Sequence, residues 1–225
     1  MELAIDTSTD FCSIGLSRQG EMVAEITWHS EQNHTVELAP NIDRLLGQTG
    51  TSPQSLEAVF VARGPGSFNG LRVGVSTAKG LALALDIPLV GISTLEIEAF
   101  PFAFTGFPIC PIHNAGRGEI AAALYQDKNG WRCLKPEHIT TVDSLCLQTK
   151  RKTVFCGEIP PAAIDELQKK LEKYAIIPEA ITRVRHAVYL ATLGWQRLSK
   201  GEQDDAASLQ PLYLRQPPIT MRKVK

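Results

Sequence analysis

Three short strand-like segments followed by a helix, a strand and a second helix occur twice along this chain, in the same order. In the first copy, Leu3 to Asp6, Cys12 to Ser17 and Met22 to Trp28 read as strands, joined by tight turns at Thr7-Ser8-Thr9-Asp10 and Arg18-Gln19-Gly20. Val36, Ala39, Ile42, Leu45 and Leu46 then recur at helical spacing, and Gly47 is expected to stop that helix. Leu56 to Val61 predicts a fourth strand, which runs into a glycine-rich loop, Gly64-Pro65-Gly66-Ser67-Phe68-Asn69-Gly70. A helix over Leu71 to Leu85 and a strand over Pro88 to Ser93 follow. The second copy reads as strands at Ile109 to Asn114, Glu119 to Tyr125 and Trp131 to Lys135, with Asn129-Gly130 as a hairpin turn. A helix at Val142 to Gln148, a strand at Thr153 to Cys156 and a helix from Pro161 to Lys173 complete it. The Pro- and Phe-rich stretch Phe100 to Pro111 reads as the hinge between the copies. A last helix, His186 to Ser199, precedes a polar segment and a basic tail ending in Arg222, Lys223 and Lys225.

A strand meander leading into helix-crossover strands, duplicated, predicts an α/β chain with the ribonuclease-H-like (ASKHA, actin/Hsp70-like) fold in two lobes. The expected division is 1–98 for an N-terminal, partner-binding lobe, 99–205 for a smaller second lobe, and 206–225 for a C-terminal segment that returns to the first lobe. At 225 residues the chain can bury a substantial core, and its net charge of −1 with 44% hydrophobic residues excludes a disordered chain. The same neutrality argues against a stand-alone nucleic-acid binder, so a partner is expected to supply most of any such affinity. The opening residues lack a basic segment followed by a long apolar stretch, and no run of about 18 apolar residues occurs, so neither a signal peptide nor a membrane span is expected. Five cysteines without C-x-x-C spacing read as buried thiols of a cytoplasmic protein.

The glycine-rich loop (Gly64, Pro65, Gly66, Ser67, Phe68 and Gly70) can do one of two things. Its N–H groups could bind an anion at the start of the following helix, or its glycines could let that helix approach the sheet closely. It is not a P-loop, because Lys79 lies mid-helix, nine residues beyond Gly70. The helix itself has an apolar stripe at Leu71, Val75, Ala78, Ala82 and Leu85, and a second stripe of smaller residues at Val73, Thr77, Gly80 and Ala84. Only Arg72, Ser76, Lys79 and Asp86 form a polar strip. A surface helix buries one stripe, so the second belongs either to a partner interface or to a fully enclosed helix. His34 opens the first helix, and the residue four further on is Leu38, so no metal-binding pair forms there and His34 reads as a cap or contact residue. Asp6 stands where kinase-like members of this fold hold a metal-bound nucleotide, but Thr7-Ser8-Thr9 replaces their glycine turn. Its counterpart in the second copy is Asn114, a poorer Mg²⁺ ligand than Asp. No Ser/His/Asp or Cys/His grouping emerges from the spacing.

Leu3-Ala4-Ile5-Asp6-Thr7-Ser8-Thr9, the motif from Gly64 through Gly74, Ala78-Lys79-Gly80-Leu81-Ala82 and Ser93-Thr94-Leu95-Glu96 resemble the bacterial TsaB (YeaZ) family. Gly116-Arg117-Gly118-Glu119 and Pro211-Leu212-Tyr213-Leu214-Arg215 are later anchors, while Asn69 replaces the family's usual Thr and Asn114 its usual Asp. The resemblance implies a scaffold, inactive alone, for the catalytic paralogue TsaD, which transfers a threonylcarbamoyl group to N6 of the adenosine next to the anticodon of tRNA. It further implies a TsaE-like ATPase in the complex, tRNA bound only within that complex, and no cofactor held by this chain, ATP and metal belonging to the partner subunits. Family members are often called glycoprotease-like, yet nothing in this sequence could cleave a peptide. Partner contacts are expected on the first two helices, at His34, Leu38, Asn41, Arg72, Val73, Ser76, Thr77, Gly80 and Ala84, a face that can self-associate when the partner is absent. The competing reading is a small ASKHA-type ATP-binding phosphotransferase or ATPase using Asp6 and the glycine-rich loop. The basic tail reads as a solvated terminus or as a contact for tRNA phosphates or an acidic partner surface.

Overall fold

The computed structural model describes residues 1–31, 33–179 and 185–215. The first copy folds as β1 (Glu2–Asp6), β2 (Phe11–Arg18), β3 (Glu21–His29), α1 (His34–Thr49), β4 (Ala58–Ala62), α2 (Phe68–Leu85) and β5 (Leu89–Ile92). After α3 (Thr94–Ala99) and a 3-10 segment (Phe100–Thr105), the second copy runs through β6 (Ile109–Gly116), β7 (Glu119–Asp127), β8 (Trp131–Thr140), α4 (Val142–Gln148), β9 (Thr153–Cys156), α5 (Pro161–Leu171) and β10 (Ala175–Ile176). Helix α6 (Ala187–Leu198) is the last among the described residues. The two sheets have the orders β3-β2-β1-β4-β5 and β8-β7-β6-β9-β10, with an antiparallel meander and then parallel additions in each. This is the ribonuclease-H-like arrangement made twice, as the repeated order predicts.

Alternation along the strands determines what covers each face. Leu3, Ile5, Ile14, Leu16, Val59 and Val61 point toward α1 and α2, where they meet Leu38, Leu45, Val75 and Ala78. Ala4, Ala58, Phe60 and Ile92 point the other way, onto Ala187, Leu190, Ala191 and Leu193 of α6. A Cβ at Gly194 would run into the Phe60 ring, so glycine there sets how closely α6 lies on the sheet. In the second sheet, Cys110, Ile112, Ala122 and Phe155 pack under α4 and α5, while Ile109, Ala123, Tyr125 and Val154 receive Leu95 and Ala99 of α3. The two inner helices are therefore exchanged relative to chain order. The expected boundaries at 98 and 205 consequently do not separate the lobes in space: α3 lies on the second sheet and α6 on the first.

Several local expectations are corrected. Gly47 does not stop α1; the helix continues to Thr49 and ends at Gly50, whose φ of 62° lets its N–H reach the carbonyls of Leu46 and Gly47. A glycine on a solvent face lowers helix propensity by only about 1 kcal/mol, and termination needs the left-handed residue that Gly50 supplies. Helix α2 begins three residues early, at Phe68, because the Ser67 hydroxyl accepts the Gly70 N–H. Ile109 to Pro111 of the expected hinge belong to β6. Cys12, Cys110 and Cys156 are buried, but Cys133 is exposed and Cys146 half-buried. Burial pushes the Cys12 and Cys110 thiols up to about 12. No helix among the described residues is long and apolar enough to cross a membrane.

Candidate functional site

The glycine-rich loop meets the turn that follows β1. Thr7 Oγ1 donates to the Gly70 carbonyl at 2.8 Å, and the Ser67 N–H donates to the Ser8 carbonyl at 2.6 Å. A Cβ on Gly66 would run into the Ser8 carbonyl, one on Gly70 into the Thr7 carbonyl, and one on Gly74 into Thr7 Oγ1. Of the two readings of this loop, close approach is the one built here: the glycines seat α2 against Thr7 and Ser8, and the Ser67 and Gly70 N–H groups are already engaged. Replacing Gly70 with alanine is expected to lower stability by about 1–3 kcal/mol, the usual range for overpacking, read as a shift of the urea midpoint.

Beside this junction lies a buried cluster of charge. Arg185, 4% exposed, donates from Nε to Asp6 Oδ2 at 2.9 Å and from one terminal nitrogen to Glu98 Oε1 at 2.7 Å and Glu158 Oε1 at 3.2 Å. Its other terminal nitrogen donates to Thr9 Oγ1 and, at 3.3 Å, to the Phe11 carbonyl. Glu98 also holds His113 Nε2 at 2.7 Å. Burial pushes the guanidinium pKa down, but Asp6, Glu98 and Glu158 outweigh it and raise it above its ordinary value. Burial likewise opposes a charged Glu98, yet His113 and Arg185 bring its carboxyl below the ordinary value. His113 is pulled down by burial and, more strongly, up by Glu98, with Arg185 opposing and Glu158 adding to the rise.

These shifts set a pH dependence. The raised His113 contributes stability that is complete below its unfolded pKa near 6.5 and is lost as pH climbs through its folded value. The lowered Glu98 contributes stability present above its unfolded value near 4.5 and lost as pH falls through the folded one. The pair is therefore worth most between about 4.5 and 6.5. Thermal melts across pH are expected to show the melting temperature falling above that window, and His113→Gln is expected to flatten the alkaline limb.

This arrangement does not fit a metal-bound nucleotide. Asp6 Oδ2 is taken by Arg185, and Asp6 Oδ1 accepts the Ser8 N–H at 2.9 Å and the Ser8 hydroxyl at 2.5 Å. Asn114, the counterpart in the second lobe, is exposed and accepts the Gly116 N–H at 2.9 Å. A cleft of about 970 Å³ does open between the lobes, with Thr9, Gly66, Phe68, His113, Asn114 and Glu158 in its walls. Residues 212–215 cross its edge. The Leu212 N–H donates to the Arg63 carbonyl at 2.6 Å, Tyr213 packs on Phe68 at 5.3 Å between ring centroids, and Arg215 donates to the Ala115 carbonyl at 3.1 Å and pairs with Glu119. Arg215 is thus engaged within the chain, while Arg222, Lys223 and Lys225 lie outside the described residues.

The expected partner-facing residues divide by burial. His34 and Leu38 are corrected: both are buried, with His34 Nε2 within 3.2 Å of the Thr9 carbonyl and Leu38 in the first core. His34 is also no cap, since Asn33 precedes it as the first residue outside α1. Arg72 is exposed but committed, stacked 3.7 Å above the Phe68 ring and donating from Nε to the Tyr213 hydroxyl at 3.1 Å. Ser76, Gly80 and Ala84 are exposed, and Asn41, Val73 and Thr77 half-buried. The second stripe of α2 is therefore not enclosed; Leu83 of the same helix is 62% exposed, and Val36 of α1 is 70% exposed. No group of three or more potential metal ligands occurs among the described residues. The sequence reading missed Arg185, Glu98 and His113; the available signal was Glu98 in Leu95-Glu96-Ile97-Glu98-Ala99, a carboxylate in a stretch otherwise headed for a core.

Comparison with known proteins fits this geometry. A family model described as TsaD: tRNA N6-adenosine threonylcarbamoyltransferase matches residues 21–221. The chain is similar to the tRNA threonylcarbamoyladenosine biosynthesis protein TsaB of Bacillus subtilis (strain 168), 34% identical over 218 residues that cover 95% of this chain and 93% of that protein. It is also similar to the protein of the same name from Escherichia coli (strain K12), 37% identical over 145 residues, 60% of this chain and 62% of that one. Among solved structures, YeaZ from Pseudomonas aeruginosa superposes with a TM-score of 0.81 at 24% identity, covering 95% of this chain and 99% of that one, which shows the shared fold. By the matched family model and the near full-length likeness to the Bacillus protein, the chain belongs to the TsaB family.

Proposed function

We propose that this chain is a non-catalytic subunit of tRNA threonylcarbamoyladenosine biosynthesis, which binds a TsaD-like threonylcarbamoyltransferase through the outward face of α1 and α2 and supports its activity. The observation that carries the reading is Arg185: a fixed guanidinium sits on the one carboxylate, Asp6, from which nucleotide chemistry in this fold would start. The names of the relatives supply the pathway, and the uncovered second stripe of α2 supplies a docking face. ATP and metal are then the business of the partners, the TsaD-like subunit and a TsaE-like ATPase. Without a partner, Gly80, Leu83 and Ala84 give two copies of this chain a reason to pair.

Coexpression with a tagged TsaD-like subunit tests the proposal. The expected result is a complex stable through gel filtration, tRNA modification that requires both chains, and no ATP turnover by this chain alone. Turnover by the purified chain that disappears in Asp6→Ala would return the phosphotransferase or ATPase reading.

A further inference from the structure

Five strand ends meet at the end of the second lobe remote from the cleft. The parallel strands β6, β9 and β10 begin there, β7 ends there and β8 starts there, with Thr153 beside Ala175, Ile109 beside Val154 and Tyr125, and Gln126 beside Arg132. At about 4.8 Å between neighbouring strands, this edge is roughly 20 Å wide. Its loops, turns and strand ends carry Lys128, Arg132, Lys150, Arg151, Lys152 and Lys173, all exposed. The acids interspersed with them are Asp127 and Glu172, and Asp127 is used by the turn, accepting the Gly130 N–H at 3.2 Å. Six cations against two carboxylates leave a surplus of four at one edge of a chain whose total charge is −1. Among the described residues none of the six cations takes part in a salt bridge.

Aromatic rings stand among these charges. Phe104 is 87% exposed, and Phe107 and Tyr174 are exposed as well. The segment bearing Phe104 is tied to this edge by Gln126, whose side-chain amide donates to the Gly106 carbonyl at 2.9 Å, and Lys173 lies 5.6 Å above the Tyr174 ring. Rings set singly among cations that no carboxylate neutralises suit nucleobases stacked beside a phosphate backbone. A membrane-binding face would instead need a continuous apolar surface.

We propose that this edge is an RNA-binding surface, on which Lys150, Arg151 and Lys152 neutralise phosphates and Phe104 and Tyr174 stack on unpaired bases. It rests on the reading above only in naming tRNA as the source of that RNA. The small surplus of charge makes its affinity a contribution to an assembly rather than tight binding by one chain, consistent with the neutral composition.

The test measures fluorescence anisotropy of labelled tRNA with the full chain alone, over salt from about 50 to 200 mM, the range in which phosphate contacts dominate. The variant Lys150→Ala/Arg151→Ala/Lys152→Ala, all at exposed loop positions, is expected to melt as wild type. It should bind about tenfold more weakly at low salt, with a salt slope shallower by about two units. Phe104→Ala is expected to weaken binding of a single-stranded oligonucleotide about fivefold while leaving the slope unchanged. Unaltered affinity and slope in the triple variant, or no binding by the wild-type chain at low salt, overturns the proposal. So does a triple variant that loses binding only to phosphatidylserine vesicles. Copurification of the triple variant with the TsaD-like subunit is scored separately: its loss in wild type as well counts against the partner reading and leaves the RNA result standing.

Discussion

An Arg185→Met protein is expected to unfold with about 3–5 kcal/mol less stability than wild type, the cost of removing one partner from a buried charge network. Asp6 and Glu98 are left behind, buried at 1% and 5% exposure, with the attraction that offset their desolvation gone. Glu158 contributes little to the loss, since its side chain is 43% exposed and water can solvate it. Arg185→Lys is expected to recover only part, because an ammonium cannot reach Asp6, Glu98 and Thr9 with the planar fork used here. Urea unfolding at neutral pH gives the number. In parallel, Arg185→Met should gain no ATP hydrolysis, since uncovering Asp6 restores neither a glycine turn after β1 nor an acid at Asn114. A wild-type urea midpoint would show that the cluster does not hold the junction together.

The second large effect is expected on assembly. Ala84→Arg places a long cation at the C-terminal end of the exposed stripe of α2, on the face that an interface of about 1,600 Å² would cover. Loss of binding to the TsaD-like subunit by at least 100-fold is expected, or about 2.8 kcal/mol. Stability should not change, since Ala84 is exposed and the neighbouring Gly80 has no heavy atom within 4 Å of where its Cβ would stand. Gel filtration with the partner and a melt of the variant alone separate the two outcomes. An undiminished complex would move the interface off α2.

The strand and helix order was legible because each copy carries its own local signals: turn residues between short strands, helical spacing in α1 and α2, and the Asn129-Gly130 hairpin. The two stripes of α2 were also legible, and they differ in fate: Leu71, Val75, Ala78 and Ala82 are buried, while Gly80 and Ala84 are left outside and Val73 and Thr77 lie half-buried between. What was not legible depends on distance along the chain. Arg185 reaches Asp6 across 179 positions, and nothing in periodicity predicts a pairing of that separation. The seating of α3 and α6 on opposite sheets is hidden for the same reason: α3 is a six-residue helix with two glutamates that the spacing does not predict, and the apolar residues of α6 do not say which core they complete. His34, expected as a cap or contact residue at the start of α1, is instead buried, because the turn after β1 offers it the Thr9 carbonyl to approach.

The exchanged helices bear on how the chain is made. A ribosome releases both the strands of the first sheet and the helices α1 and α2 long before α6, yet α6 is what covers Ala4, Ala58, Phe60 and Ile92. Until residues 187–198 emerge, one face of the first sheet is open to water and to other nascent chains. Residues 1–98 would therefore be a poor choice for expression as a fragment, since the sheet face that α6 covers would stay bare. Helix α6 acts as a seal on the first sheet, applied only after all five of its strands have been made.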